Sequence, residues 1–189
     1  MPERDRLQTG IPELDKILGW GLMPGTLTVV VGATGIGKTQ LGLQFASRGA
    51  AQEGERGVLF DMTTRGDSQN HTDYARRLAG WNLREQSTEV GLPPEDVWNR
   101  EAARWDYIHL FRRSGRRVTI SDLEADDWRE WKIELARKLQ SAIAFLYGNL
   151  VHGVRRCVID GIEPTDRASE PAGEGRHERE VVKTDIPQL

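Results

Sequence analysis

Hydrophobic and polar residues follow two patterns that alternate along the chain. Short apolar runs, rich in β-branched residues, predict four buried strands over residues 26–31, 57–62, 106–111 and 156–160. Elsewhere apolar residues recur every three or four positions, which predicts helices over residues 12–18, 38–51, 70–79, 94–105 and 126–150. Strands that alternate with helices are typical of an α/β fold in which helices cover a mostly parallel sheet.

Tryptophans lie at helical spacing in two of these predicted helices. The apolar stripe of the last helix contains Trp128, Trp131, Leu135, Leu139, Ile143, Leu146 and Leu150. In the helix before it, Trp98, Ala102 and Trp105 share one face. Exposed tryptophans can stack on nucleic-acid bases, but the helical spacing favours packing in the hydrophobic core.

The chain changes character after residue 162. Residues 163–189 are rich in Glu, Arg, Pro and Gly, and their one apolar cluster is the pair Val181-Val182. A segment of this composition buries too little apolar surface to fold by itself. We therefore expect one domain over residues 1–162 and a polar, flexible tail over residues 163–189.

Composition narrows the class of protein. The chain is 38% hydrophobic and 29% charged, as in soluble globular proteins, and no apolar run approaches the ~20 residues that cross a bilayer. The N-terminus lacks the apolar core of a signal peptide, and the single cysteine, Cys157, suits a reducing cytoplasm as a small buried core residue. The net charge of −3 argues against a generally basic nucleic-acid binder. The histidines show no spacing typical of metal ligands.

A glycine-rich motif directly follows the first predicted strand. Residues 32–39 match the pattern G-x-x-x-x-G-K-[ST] at every fixed position. The glycines let the backbone curl so that successive N–H groups point into one concavity, and the following helix adds the positive end of its dipole. Lys38 would reach the β- and γ-phosphates of ATP, and the Thr39 hydroxyl would ligate Mg²⁺. The predicted nucleotide-binding residues are Gly32, Ala33, Thr34, Gly35, Ile36, Gly37, Lys38, Thr39 and Gln40.

An acidic residue ends the fourth predicted strand. Asp160 follows the apolar residues 157–159, which is the position of a Walker B aspartate that holds Mg²⁺ through its water shell. An aspartate at a strand end is more often a turn or cap residue. Because a phosphate-binding loop lies upstream, the sequence favours the magnesium role for Asp160, together with Thr39.

The residues around the loop resemble the KaiC/RadA branch of the RecA-like P-loop ATPases. The resemblance is strongest from residue 9 to residue 60 and returns at residues 155–161. Its residues are Thr9-Gly10-Ile11, Leu14-Asp15, Leu18-Gly19, Gly21-Leu22, Gly25, Leu27 through Thr39, Gln44-Phe45-Ala46 and Gly57-Val58-Leu59-Phe60. It implies a RecA-like core that binds ATP at subunit interfaces and assembles into rings or filaments.

The chain departs from this family at the position of the catalytic acid. KaiC-like domains carry a Glu-Glu pair after the second strand, and the matching residues here are Thr63-Thr64. A threonine hydroxyl has no basicity near neutral pH and cannot replace that carboxylate. Asp61 and Asp67 are the nearest acids, so Asp61 is a candidate catalytic residue beside Lys38, although strand-end and helix-cap roles suit the two acids better. The sequence thus predicts ATP binding and leaves hydrolysis open.

A second departure is length, because the RecA-like core normally continues with more strands after Walker B. We therefore expect a sheet that is incomplete at the C-terminus, in a fragment, a degenerate member or a protein completed by a partner. The leading hypothesis is an ATP-binding protein whose nucleotide state controls assembly or partner docking. The alternative is a RadA-like DNA repair ATPase, for which the arginine-rich residues 112–117 would contact DNA, although a solvated loop is favoured there.

Overall fold

The computed structural model describes residues 6–63, 70–88, 92–111 and 125–162. Its helices are α1 (Pro12–Ile17), α2 (Lys38–Gln52), α3 (His71–Ala79), α4 (Arg100–Ala103) and α5 (Ala125–Val151), with a 3₁₀ turn at Pro94–Trp98. Its strands are β1 (Val58–Asp61), β2 (Glu85–Gln86), β3 (Tyr107–His109) and β4 (Cys157–Asp160). The predicted tail, residues 163–189, lies outside the described residues.

The strands form one parallel sheet in the order β2-β3-β1-β4. Asp61 at the end of β1 is in register with His109 of β3 and with Asp160 of β4. The carboxyl ends of three strands therefore meet at one edge of the sheet, where open α/β sheets bind ligands. The predicted α/β fold class, a parallel sheet with helices, is confirmed.

Helices cover both faces of the sheet. On one face α2 and α3 pack against alternate strand residues, in a cluster of Leu43, Ala46, Leu59, Ala75, Trp81 and Tyr107. On the other face α5 contributes Phe145 to a cluster with Val58, Phe60, Ile108, Leu110 and Val154. Because successive side chains of a strand point to opposite faces, the apolar run of β1 supplies both clusters.

A buried arginine joins the N-terminal segment, α2 and β4. The guanidinium of Arg156 is fully buried and donates to both carboxylate oxygens of Glu53, at 2.7–3.1 Å. It also donates to the backbone oxygens of Gln8 and Phe45 and to the side chain of Gln52, at 2.6–2.7 Å. Every N–H group of this guanidinium thus faces an acceptor, which is what a buried charge needs.

The prediction of a buried strand over residues 26–31 is wrong. These residues have no strand assignment, and Leu27 and Val31 are both 85% exposed. Within the described residues β4 pairs on one side only, with β1, and Cys157 on β4 is exposed, contrary to the predicted core position. A β-branched sequence favours a strand only where a neighbouring strand supplies backbone partners, and residues 26–31 pair with no strand among those described.

Two predicted apolar stripes are wrong in part. Residues 94–105 form a 3₁₀ turn and the short α4, which leaves Trp98 75% exposed.

On α5, Trp128 is buried as predicted, but the stripe residues Leu139, Ile143 and Leu150 are exposed. The buried face instead contains Ser141, Phe145 and Asn149. Asn149 can be buried because its side chain accepts hydrogen bonds from Arg104 and from the Trp105 backbone. These polar partners favour the face of α5 that contains Asn149 as the buried face.

Candidate functional site

The glycine-rich loop lies exposed at the N-terminal end of α2. Gly35 and Gly37 have φ of 82° and 99°, in the left-handed region, and Gly37 is the N-cap residue of α2. The Lys38 ammonium donates to the backbone oxygens of Gly32 and Ala33, both at 2.8 Å. An ammonium has three N–H donors, so these two hydrogen bonds leave one donor of Lys38 for a further acceptor.

Thr39 and Asp160 are far apart in sequence and hydrogen-bonded in the fold. The Thr39 hydroxyl donates to Asp160 Oδ2 at 2.7 Å, and the Gly161 N–H donates to Asp160 Oδ1 at 3.0 Å. Burial raises the pKa of Asp160, but the hydrogen bonds from His71, Thr39 and the Gly161 N–H, with the electrostatic attraction of His71, together lower it below the ordinary value. The side chain is therefore a carboxylate at neutral pH, with both oxygens held.

The oxygen atoms of Thr39 and Asp160 fit a magnesium ion in chemistry. Mg²⁺ prefers hard oxygen ligands and keeps several waters, and it is usually held by few protein groups together with substrate phosphates. Among the described residues, no group of three or more His, Cys, Asp or Glu side chains is placed to hold a metal ion. A magnesium ion here would therefore depend on a nucleotide for part of its coordination.

Asp61 is fully buried beside this pair. The Tyr107 hydroxyl donates to Asp61 Oδ2 at 2.7 Å, while the hydroxyl and N–H of Thr63 donate to Oδ1 at 2.6 and 2.9 Å. A general base must reach a water molecule, and this carboxylate is shielded from solvent with both oxygens engaged. The geometry favours a positioning role, and the catalytic role of Asp61 stays an untested prediction. Thr64 and Asp67 lie outside the described residues.

His71, which the sequence did not single out, lies between the two aspartates. Its Nε2 is 3.0 Å from Asp160 Oδ2, its Nδ1 is 3.4 Å from Asp61 Oδ2, and the side chain is 2% exposed. The ring also packs against Tyr107, with 5.3 Å between ring centroids. His71 is the first residue of α3, and the side chain of Asn70 caps this helix by accepting from the Asp73 N–H.

The signal for His71 was topological. A helix that follows β1 begins near the carboxyl end of that strand, so its first residue can reach the ends of the neighbouring strands. Spacing rules for metal ligands do not detect such a residue, because its partners are carboxylates from strands distant in sequence.

Replacing Gly161 with alanine is expected to destabilise the fold by about 3 kcal/mol, because it combines backbone strain with a clash. Gly161 has φ of 84°, and an added Cβ would lie 2.5 Å from Thr63 Cγ2. Urea unfolding would measure the loss. Gly80→Ala is the matched control, since Gly80 has φ of 56° and open space around it, and it is expected to cost about 1 kcal/mol. Equal losses in the two variants would contradict the predicted close contact with Thr63.

Comparison with known proteins places this chain in a family. A family model described as "ATPase: KaiC" matches residues 7–186. The circadian clock protein KaiC2 of Synechocystis sp. is 33% identical over 114 residues, which are 57% of this chain and 19% of that protein. The circadian clock oscillator protein KaiC of Parathermosynechococcus lividus is 32% identical over 78 residues, 41% of this chain and 13% of that protein.

A second kind of relative is a DNA repair protein. RadA of Mycobacterium tuberculosis is 48% identical over 50 residues, which are 26% of this chain and 10% of that protein. The matched part of the chain thus spans about a fifth or less of each of these three relatives. No solved structure matches significantly. In the described part of the chain, no helix has the length and apolar character that crossing a membrane requires.

The family match extends over most of the chain, and the parallel sheet with helices agrees with it. This chain belongs to the KaiC family of ATPases.

Proposed function

We propose that the chain binds ATP with magnesium at residues 32–40 and that its nucleotide state controls assembly or the docking of a partner. The hydrogen bond between Thr39 and Asp160 is the observation that carries this proposal. It brings the end of the phosphate-binding loop to the end of β4, which is where a P-loop ATPase needs its two magnesium-side groups.

Each group at the site has a distinct task in this proposal. The backbone N–H groups of the loop and the N-terminus of α2 bind the phosphates, and Lys38 adds a positive charge beside them. The Thr39 hydroxyl ligates the metal directly, and the Asp160 carboxylate holds its water shell. When bound, magnesium neutralises phosphate charge and fixes the geometry of the triphosphate.

We expect ATP hydrolysis to be slow. Position 63 is a threonine, and Asp61, the nearest described carboxylate, is buried and fully hydrogen-bonded. Steady-state phosphate release with Mg-ATP is expected below about 1 s⁻¹, the lower end of ordinary enzyme turnover. A faster rate that Lys38→Ala abolishes would show that another group activates the attacking water.

The assembly part of the proposal rests on surfaces that the described residues leave open. In the described part of the chain β4 pairs on one side only, and the exposed apolar residues of 27–31 lie just before the phosphate-binding loop. Open strand edges and apolar segments favour association, and a nucleotide bound beside them can change their arrangement. Sedimentation velocity with and without Mg-ATP tests this part. Ring or filament formation that depends on Mg-ATP is expected, and a monomer under both conditions would contradict it.

DNA binding by a RadA-like repair ATPase is the second candidate function. The similarity to RadA favours it, while the acidic net charge of −3 disfavours it. The arginine-rich residues 112–117 lie outside the described residues. Binding of single-stranded DNA that weakens with salt, and is lost when Arg112, Arg113, Arg116 and Arg117 are replaced, would favour this function. No binding at low salt would exclude it.

A further inference from the structure

The imidazole ring of His71 lies between the carboxyl ends of β1 and β4. Asp61 and Asp160 are in register on neighbouring strands, and His71 reaches both carboxylates from the first turn of α3. Proposed magnesium binding uses Asp160 and assigns no task to His71 or to the buried Asp61. Burying His71 and Asp61 costs free energy, since buried charged and polar groups require partners.

The Asp160 carboxylate is oriented by donors on both of its oxygens. Carboxylate oxygens only accept hydrogen bonds, so His71 Nε2 donates its proton to Oδ2. The Thr39 hydroxyl donates to the same oxygen, and the Gly161 N–H holds the other. Without the imidazole, Oδ2 would keep one donor, and that donor belongs to a residue whose oxygen is proposed to ligate magnesium. Of the two donors to Oδ2, Thr39 is also a proposed metal ligand, whereas His71 is not.

Asp61 and Tyr107 lie beside the His71 ring. The Asp61 oxygens are fixed by the Tyr107 hydroxyl and by two groups of Thr63. The His71 ring packs beside Tyr107, while its Nδ1 lies 3.4 Å from Asp61 Oδ2 and makes no hydrogen bond among the described residues. The orientation of the carboxylate on β4 thereby depends on α3 as well as on α2.

We propose that His71 is a positioning residue that holds the Asp160 carboxylate in the orientation that binds the water shell of magnesium. This rests on the Mg-ATP site proposed above. Groups that orient metal-binding side chains contribute strongly to metal affinity, and their replacement typically lowers it about 10- to 100-fold.

Two polar replacements of His71 separate positioning from general stability. In His71→Gln the amide nitrogen extends to about the place of Nε2 and can donate to Asp160. In His71→Asn the shorter amide reaches only the place of Nδ1, beside Asp61. Both variants keep a polar group in the buried position, and thermal unfolding would confirm that both fold. His152→Asn is a matched control, because His152 contacts the Val97 backbone oxygen, away from this site.

The readout is ATP affinity in EDTA and in Mg²⁺, measured for each folded variant. In the wild-type chain we expect magnesium to tighten ATP binding. His71→Asn should lose about tenfold of that gain while its affinity in EDTA stays at the wild-type value, because the loop itself is unaltered. His71→Gln should retain most of the gain, and His152→Asn all of it.

Each of the other possible outcomes would contradict one part of the proposal. Equal gains in the Asn and Gln variants and the wild type would remove the positioning role of His71. A parallel loss of affinity in EDTA and in Mg²⁺ would assign His71 a structural role only. If the folded wild-type chain does not bind ATP at all, the Mg-ATP proposal itself fails, which a failure confined to the His71 variants does not imply.

Discussion

Replacing Lys38 with alanine is expected to lower the affinity for Mg-ATP about 10- to 100-fold, the largest effect on ligand binding of any single change proposed here. The Lys38 ammonium already donates to the backbone oxygens of Gly32 and Ala33, which leaves one N–H donor for the triphosphate. Without the Lys38 side chain, the triphosphate loses a charge-assisted hydrogen bond, and the loop loses two hydrogen bonds to its backbone oxygens.

Titration of a fluorescent ATP analogue would measure this change. Lys16→Ala is the matched control, because Lys16 is exposed on α1 and the substitution removes the same charge away from the loop. The control should bind as tightly as the wild type. Undiminished binding by a folded Lys38→Ala chain would mean that the nucleotide occupies another place.

Replacing Arg156 with alanine is expected to lower the free energy of unfolding by about 3–5 kcal/mol, the largest effect on stability. The change removes a fully buried guanidinium and leaves its acceptors without partners, among them the Glu53 carboxylate and the backbone oxygens of Gln8 and Phe45. Its contact with the Phe45 ring, 4.6 Å from the guanidinium carbon to the ring centroid, is lost as well.

Urea denaturation followed by far-ultraviolet circular dichroism would measure the loss. Arg76→Ala is the control, since Arg76 is 59% exposed and pairs with Asp73 across one helical turn. Such surface pairs contribute about 0.2–1 kcal/mol. Similar losses in the two variants would show that the hydrogen bonds of Arg156 contribute little to the folded state.

Much of the sheet could be predicted from the sequence because its strands are short apolar runs flanked by turns. Three predicted strands appear within a few residues of their expected bounds, and α2 begins at Lys38 as expected. The segment over 26–31 has the same composition, and its prediction failed because strand formation depends on a neighbour that composition does not reveal. Helix α5 was predicted in extent, but its buried face follows Asn149 and Ser141 rather than the leucines.

The candidate site divides in the same way. The loop residues and Asp160 were predicted from local signals, a fixed motif and an acid after an apolar run, and the fold brings Thr39 to Asp160. His71 could not be found from spacing, because its partners lie on β1 and β4 and meet only when the parallel strands align. The burial of Asp61 likewise depends on Tyr107, a residue of β3.

The central claim is that the loop at residues 32–40 binds ATP together with magnesium held near Thr39 and Asp160. Isothermal titration of the folded wild-type chain with ATP, in Mg²⁺ and then in EDTA, tests it most directly. We expect saturable binding of one ATP per chain that is tighter with magnesium. Absence of saturable binding in both buffers would contradict it.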